Sequence, residues 1–279
     1  MIPILPYPRT PFLQAGHNLA RGLIGFWVPG LDMGTQTRAA RNWAEPGLAD
    51  GTYSGALGGS QTRWGTGAIV NQGNPDYIDC GNVLSYITNF SVGVMFQSSG
   101  TLLVGDMNIF TKGYDGTNTQ WYIKKSSGGP FYFGNSQAGT DYFTYTQLGV
   151  GTAAINTAYV LLGTYDGTTY TIYANGVRSG FNSTLPAFVG TTNNIRIGSI
   201  QGLLGASWDG VIIAAAHWKR SLTYAESIAW TQDPFAMFRP VRERAYLAAL
   251  TTGRLFRRIL GDNPRVGSRP GIGTSTGGL

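Results

Sequence analysis

The 279-residue sequence predicts an all-β protein, an antiparallel two-sheet sandwich, and three observations carry that expectation. Glycine is abundant, with 41 residues, aromatic side chains make up 13% of the chain and charged ones only 12%. That balance favours short strands joined by tight turns over helices, which draw on Glu, Lys, Ala and Leu for their exposed faces. From "RGLIGFWVPG" (21–30) onward, short apolar and aromatic runs alternate with clusters of Gly, Asn and Asp, the pattern of consecutive antiparallel strands. The stretch "TYDGTTYTIYANGVRSG" (164–180) holds two hairpin signals, Asp-Gly and Asn-Gly. All-β domains of roughly 200–250 residues are common as single units, so the length suffices for one well-filled core.

Taken in order, residues 1–16 read as an extended proline-rich arm, because four prolines fall in the first eleven positions and each fixes φ and keeps its predecessor out of the helical region. The run "GAIVNQGNPDYIDCGN" (67–82) predicts strands at Ala68–Asn71 and Tyr77–Cys80 around a turn at Gly73–Pro75. "NFSVGVMFQ" (89–97) is a strong strand, followed by "TLLVGDMNIFTKGYDGTNTQWYIKK" and "GPFYFGN". Residues 136–157 are rich in Gly and Thr and poorly periodic. Tyr159–Tyr165, Thr168–Ala174 and Val177–Phe181 predict a three-stranded meander with two-residue type I′ turns at Asp166-Gly167 and Asn175-Gly176. Within it Tyr170, Ile172 and Ala174 face one way, and Thr169, Thr171 and Tyr173 the other. "GVIIAAAHWKR" (210–220) is a strand. "SLTYAESIAWTQDPF" is a short helix capped by Thr223, with Glu226 completing a capping box and Asp233-Pro234 ending it. Residues 241–261 predict one or two further helices interrupted at Thr251-Thr252-Gly253, before a flexible Gly/Ser/Pro end.

The formal charge of +6 is local. Residues 239–279 carry eight arginines against Glu243 and Asp262, and residues 1–238 balance 12 Lys and Arg with 12 Asp and Glu. The body is therefore not expected to bind nucleic acid specifically, whereas the tail suits an acidic surface. The lone Cys80 forms no intrachain disulfide. No signal peptide and no 18-residue apolar run are recognisable, so no membrane span is expected.

"GLIGFW", "GTGAIVNQGNPDYIDCGN", "NFSVGVMFQ", "YVLLGTYDGTTYTIYANGVRSG", "IRIGS" and "WDGVIIAAAHWKRSLTYAESIAWTQDPF", in this order, resemble the laminin G-like, concanavalin A-like jelly-roll family over residues 17–238. The resemblance implies a two-sheet jelly roll closed by a short helix, with the arm (1–16) before it and an Arg-rich extension (239–279) after it. Relatives commonly carry an acidic "IDE" run in the last strand where this chain has "VIIAAAHW". The ending "WTQDPFAMFRP" resembles the "DPW-x-x-F-x-P" ending found on such domains in tailed-bacteriophage proteins, which implies a virion protein assembled in the bacterial host cytoplasm.

Such a fold can host glycoside hydrolysis by carboxylates at alternating strand positions. Glu45, Glu226 and Glu243 are the only glutamates and none has a partner at that spacing; Asp76 and Asp79 are three apart. His17 and His217 are the only histidines, which excludes three-histidine zinc sites. His217, among Ala and Trp, reads as a partly buried core residue. No metal or cofactor is expected; calcium is the one ion this fold class often holds, with Asp76, Asp79, Asp115 and Asp209 as its candidates, of which Asp115-Gly116 and Asp209-Gly210 are explained equally well as turns.

The expectation is thus a non-enzymatic virion structural protein, a head decoration or minor capsid protein. It would bind the major capsid protein or other neighbours through Phe235, Phe238, Arg239, Arg254, Phe256, Arg257 and Arg258, as a homo-oligomer for which a trimer is the working assignment. The alternative is a carbohydrate-binding tail or receptor-binding protein recognising host glycan, with Trp121, Tyr122 and Tyr132 stacking on sugar.

Overall fold

A computed structural model of the chain describes residues 13–32, 39–62, 64–71, 76–82, 88–98, 106–114, 117–126, 130–146, 158–200 and 206–238. Among them sixteen strands follow in chain order: β1 (Leu23–Trp27), β2 (Ala39–Ala40), β3 (Gly51–Ser54), β4 (Gly58–Thr62), β5 (Gly65–Val70), β6 (Tyr77–Asp79), β7 (Phe90–Ser98), β8 (Met107–Lys112), β9 (Thr119–Lys125), β10 (Phe131–Gln137), β11 (Thr140–Tyr145), β12 (Ala158–Tyr165), β13 (Tyr170–Ala174), β14 (Val177–Asn182), β15 (Ile195–Ile197) and β16 (Gly210–Trp218). Helix α1 (Pro29–Asp32) is a single turn, and α2 (Tyr224–Gln232) follows the last strand.

The strands form two antiparallel sheets. The first runs β14-β13-β12-β7-β16-β5-β4, with β1 also paired to β16, and the second runs β11-β10-β9-β8-β15-β6-β3-β2. The predicted strands at 68–71 and 77–80 correspond to β5 and β6, which lie in different sheets, so the chain crosses the sandwich between them. The turn at 73–75 lies outside the described residues.

Between the sheets lies the main core, built on Trp27, Phe90, Phe96, Phe110, Trp121, Phe131, Phe133, Tyr170 and Trp208. A second core covers the outer face of the first sheet. There Trp230 of α2, Leu222, Phe235, Met237 and Phe238 pack with Leu19, Leu23 and Phe26 onto Met95, Val160, Leu162, Ala216 and Trp218. The central strands β7, β12 and β16 are thus buried on both faces, which explains why "FSVGVMFQS", "AYVLLGTY" and "GVIIAAAHW" read as nearly continuous apolar runs.

This second core corrects one expectation. Phe235 and Phe238 do not point outward to a partner; both are buried, with ring centroids 6.0 and 4.4 Å from Phe26. The N-terminal side is tied to the same place, as Gln14 N donates to Met237 O at 2.8 Å and Trp218 Nε1 to Leu19 O at 2.7 Å. Arg239, Arg254, Phe256, Arg257 and Arg258, the predicted helices at 241–261 and most of the proline-rich arm lie outside the described residues.

In the meander, Asn175 (φ 48°) and Gly176 (φ 85°) form the expected turn, in which both central residues take positive φ. The Asp166 turn differs. Tyr165 pairs with Tyr170, so the loop has four residues. Asp166 Oδ1 accepts from Thr168 N, Thr169 N and Thr168 Oγ1, and Gly167 alone carries positive φ there. An aspartate that bonds its own following backbone makes a self-sufficient loop, and this geometry replaces the two-residue turn.

Helix α2 has the predicted capping box: Thr223 Oγ1 accepts from Glu226 N, and Glu226 Oε2 accepts from Thr223 N. Arg220 clasps the same carboxylate with Nη1 at 2.8 Å and Nη2 at 2.9 Å. Burial alone would raise the Glu226 carboxyl, but hydrogen bonds from Arg220 and Thr223 outweigh it and hold the pKa at about 2. A carboxyl with a lower pKa folded than unfolded contributes stability above its unfolded value, and loses it as pH falls toward the folded value. Glu226→Gln is therefore expected to cost about 1–2 kcal/mol at neutral pH, after discounting for screening at this partly exposed position. The gap to the native protein should close as pH falls from about 4.5 to 2, read from urea unfolding at a series of pH values.

Candidate functional site

Whereas the centre of the first sheet is covered, β8 to β11 of the second carry polar and aromatic side chains on their outer face. Side chains alternate along a strand. Because Trp121 and Ile123 on β9, and Phe131 and Phe133 on β10, enter the core, Tyr122, Lys124 and Tyr132 face away from it. In β8 a register shift between Asn108 and Phe110 lets Ile109 and Phe110 both stay in the core while Asn108 keeps the outer side, as a bulge allows.

Strand pairing then aligns the outer residues in rows. Asn108 pairs with Lys124, Lys124 with Tyr132 and Tyr132 with Tyr145. One step along, Thr111 pairs with Tyr122, Tyr122 with Gly134 and Gly134 with Phe143. Tyr132 meets Phe143 edge-on with centroids 4.5 Å apart and lies 6.2 Å from Tyr145. Tyr145 is 47% exposed, so the strip ends in an open aromatic ring.

Beside the strip is a groove of about 240 Å³ lined by Asp106, Asn108, Tyr114, Thr119, Tyr122, Lys124, Ser136, Asp141 and Ile200, among others. Lys124 Nζ donates to Asp106 Oδ2 at 2.9 Å and Asp141 Oδ2 at 2.5 Å, and sits 4.6 Å from the centroid of the Tyr122 ring. Burial would lower the Lys124 pKa, but the two carboxylates prevail and raise it, so the ammonium stays charged. Burial, then the charges of Asp141 and Asp106, push the Tyr122 phenol far up, which keeps it a neutral O–H donor.

Two buried polar atoms in this lining have no partner in the protein. Tyr122 is 2% exposed and its Oη makes no hydrogen bond. Asn108 is 4% exposed; its Nδ2 donates to Ala206 O at 3.2 Å, and its Oδ1 accepts nothing. Leaving a buried donor or acceptor unmatched costs about 1–3 kcal/mol. A second hollow of about 360 Å³, at the edges of β11 and β14, is lined by Thr144, Tyr145, Arg178, Ser179, Gly180 and Phe181. None of the partnerless buried atoms belongs to that lining.

Of the predicted sugar-stacking residues, Trp121 is corrected. It is fully buried in the main core, 4.8 Å from Phe110 and 5.5 Å from His217 by ring centroids, and offers no face to a ligand. Tyr122 lines the groove but is itself buried, hydroxyl included, and Tyr132 lies in the aromatic strip. Asp106, Asn108, Lys124, Asp141, Phe143 and Tyr145 were missed, because only the register of β8 to β11 joins Asp106 to Asp141 across 35 positions.

His217 is wholly buried between Phe90 and Trp121. Burial, helped by the charge of Lys112, lowers its pKa to about 3, so it is neutral across the physiological range. Asp79 accepts from Gly81 N and Asn194 Nδ2 and pairs with Arg196; Asp76 accepts from Ala56 N and Asn71 Nδ2. Asp115 lies outside the described residues, among which no group of three or more His, Cys, Asp or Glu is placed to hold a metal ion.

A sandwich with one sheet closed by a helix and the other open over a polar, aromatic groove is a lectin-like domain. The chain belongs to the concanavalin A-like lectin/glucanases superfamily, whose family model matches residues 71–227. No curated protein matches the sequence. Among solved structures, domain 4 of AbnA, an extracellular GH43 arabinanase from Geobacillus stearothermophilus in complex with arabinotriose, is similar with a TM-score of 0.57 at 14% identity, over 78% of this chain and 98% of that one. The binding domain of Paraclostridial Mosquitocidal Protein 1 gives 0.56 at 12% identity, over 77% of this chain and 52% of that one. Trypanosoma rangeli sialidase with the inhibitor DANA gives 0.53 at 11% identity, over 78% of this chain and 34% of that one, so the chain spans about a third of the sialidase. At these identities the likeness is one of fold.

Proposed function

We propose that this domain binds carbohydrate in the groove on the outer face of the second sheet. The observation that carries the reading is a polar groove whose Asp106 and Asp141 carboxylates stay partly exposed beside the strip of Tyr132, Phe143 and Tyr145. A sugar ring supplies what both parts need: hydroxyls that accept and donate, and an apolar face that stacks on an aromatic ring. The arabinotriose bound to the similar arabinanase domain supports the same reading. Binding without cleavage fits the acids, since Asp106 and Asp141 are both held by Lys124.

A glycan array followed by calorimetry tests it. Tyr145→Ala is expected to weaken binding about tenfold, the equivalent of about 1.4 kcal/mol, with the melting temperature little changed, because the residue is nearly half exposed on an edge strand. Absence of binding to any glycan, or an unchanged affinity in Tyr145→Ala, would overturn it.

The eight arginines in 239–279 support a second, compatible reading, in which that segment attaches the domain to an acidic neighbour in a larger particle. A chain ending at residue 238 should then fold and bind sugar while failing to incorporate, whereas normal incorporation would sink the attachment role.

A further inference from the structure

The groove is unevenly furnished, and that unevenness selects among sugars. Its charged side chains are Asp106 and Asp141 against Lys124, one net negative charge. Lys124 engages the Oδ2 atom of each carboxylate, which leaves both Oδ1 atoms as acceptors. Asp106 and Asp141 keep 48% and 38% of their side chains exposed, so a ligand reaches them. They are open acceptors only, whereas the hydroxyls in the same lining, such as those of Tyr114 and Thr119, can either donate or accept. Ionised carboxylates accept only, and a lysine ammonium donates only. The ammonium that would attract an anion is already shared between two carboxylates.

Resting on the sugar-binding reading above, we infer that the groove selects glycans rich in hydrogen-bond donors and rejects carboxylated ones, with Asp106 and Asp141 as the residues that set this choice. A neutral pentose or hexose unit brings several O–H donors to the two partly exposed carboxylates. A free amino sugar adds N–H donors and a compensating charge. A sialic or uronic acid unit brings an acceptor-only group into a site of like charge whose one ammonium is already shared between two carboxylates, and such repulsion is one of the two ways a site discriminates. The aromatic strip is indifferent to the distinction, so the selectivity belongs to the groove alone.

Calorimetry on the full chain, with arabinotriose and xylotriose as neutral probes, a glucosamine trimer as the cationic one, and sialyllactose and trigalacturonic acid as the carboxylated ones, separates the outcomes. The neutral and amine probes are expected to bind, and the carboxylated ones at least about tenfold more weakly at low salt, the gap narrowing as salt screens the repulsion. Asp106→Asn and Asp141→Asn each leave Lys124 one carboxylate partner and bring the groove to neutrality, so each should shrink the gap several-fold. Melting curves establish that both variants are folded. Equal affinity of the native protein for neutral and carboxylated probes, or a gap unmoved in both variants, would overturn the selectivity while leaving sugar binding intact. Failure of every probe to bind would instead overturn the sugar reading beneath it.

Discussion

Trp121→Ala is expected to destabilise the domain by about 3–5 kcal/mol, the usual cost of emptying a large aromatic site in a closed core. Trp121 is enclosed by Phe90, Phe110 and His217, held between two sheets that cannot collapse onto the void without breaking their ladders. For a domain of this size each kcal/mol corresponds to roughly 2–4 °C, so the melting temperature should fall by about 10 °C or more. The fraction that remains folded should bind sugar with native affinity, because the indole does not reach the outer face. Tyr145→Ala should show the opposite: near-native stability and weakened binding. Urea unfolding and calorimetry on the two variants form a crossed test. A stable Trp121→Ala protein that has lost its sugar would return Trp121 to the site and take the register of β9 with it.

That crossing shows where sequence reasoning about this fold reaches and where it stops. The central strands β7, β12 and β16 were legible because burial on both faces writes long apolar runs, and α2 was legible because Thr223 and Glu226 form a local, short-range cap. The face a strand residue occupies was legible only inside the meander, where the turns lie close enough to fix the phase; there Tyr170, Ile172 and Ala174 do enter the main core. On β9 the phase is set by pairing to β8 and β10 across bulges, and nothing local in "TQWYIKK" says that the indole goes in and Tyr122 goes out. The strand carrying Asp141, Phe143 and Tyr145 was missed outright. β11 is an edge strand with one exposed face, and its Gly/Thr-rich surroundings hide the alternation. Phe235 and Phe238 were misread for a related reason: a short apolar segment after a helix looks like a docking motif until the uncovered face of the first sheet is known.

The second large effect is expected at Gly93, on the central strand β7. A Cβ built there would lie 2.3 Å from Cη2 and 2.4 Å from Cζ3 of Trp230; the indole of α2 rests directly on the strand backbone, edge-on to Trp218 with centroids 5.4 Å apart. Gly93 is flanked in the sheet by Leu162 and Ala216, so the strand cannot retreat and the helix must lift. Gly93→Val is accordingly expected to cost about 3 kcal/mol or more by overpacking, and Trp230→Ala a similar amount by leaving a cavity. The two losses have one cause seen from two sides, so they should not add. In the double variant the valine occupies space the indole has vacated, and its destabilisation should fall short of the sum by at least about 1 kcal/mol. Urea unfolding of the four proteins measures that coupling, and strict additivity would mean that the helix does not press on the sheet at this point. Sugar affinity should be native in every folded member of the set, because the groove lies on the other sheet, outside the face that α2 closes.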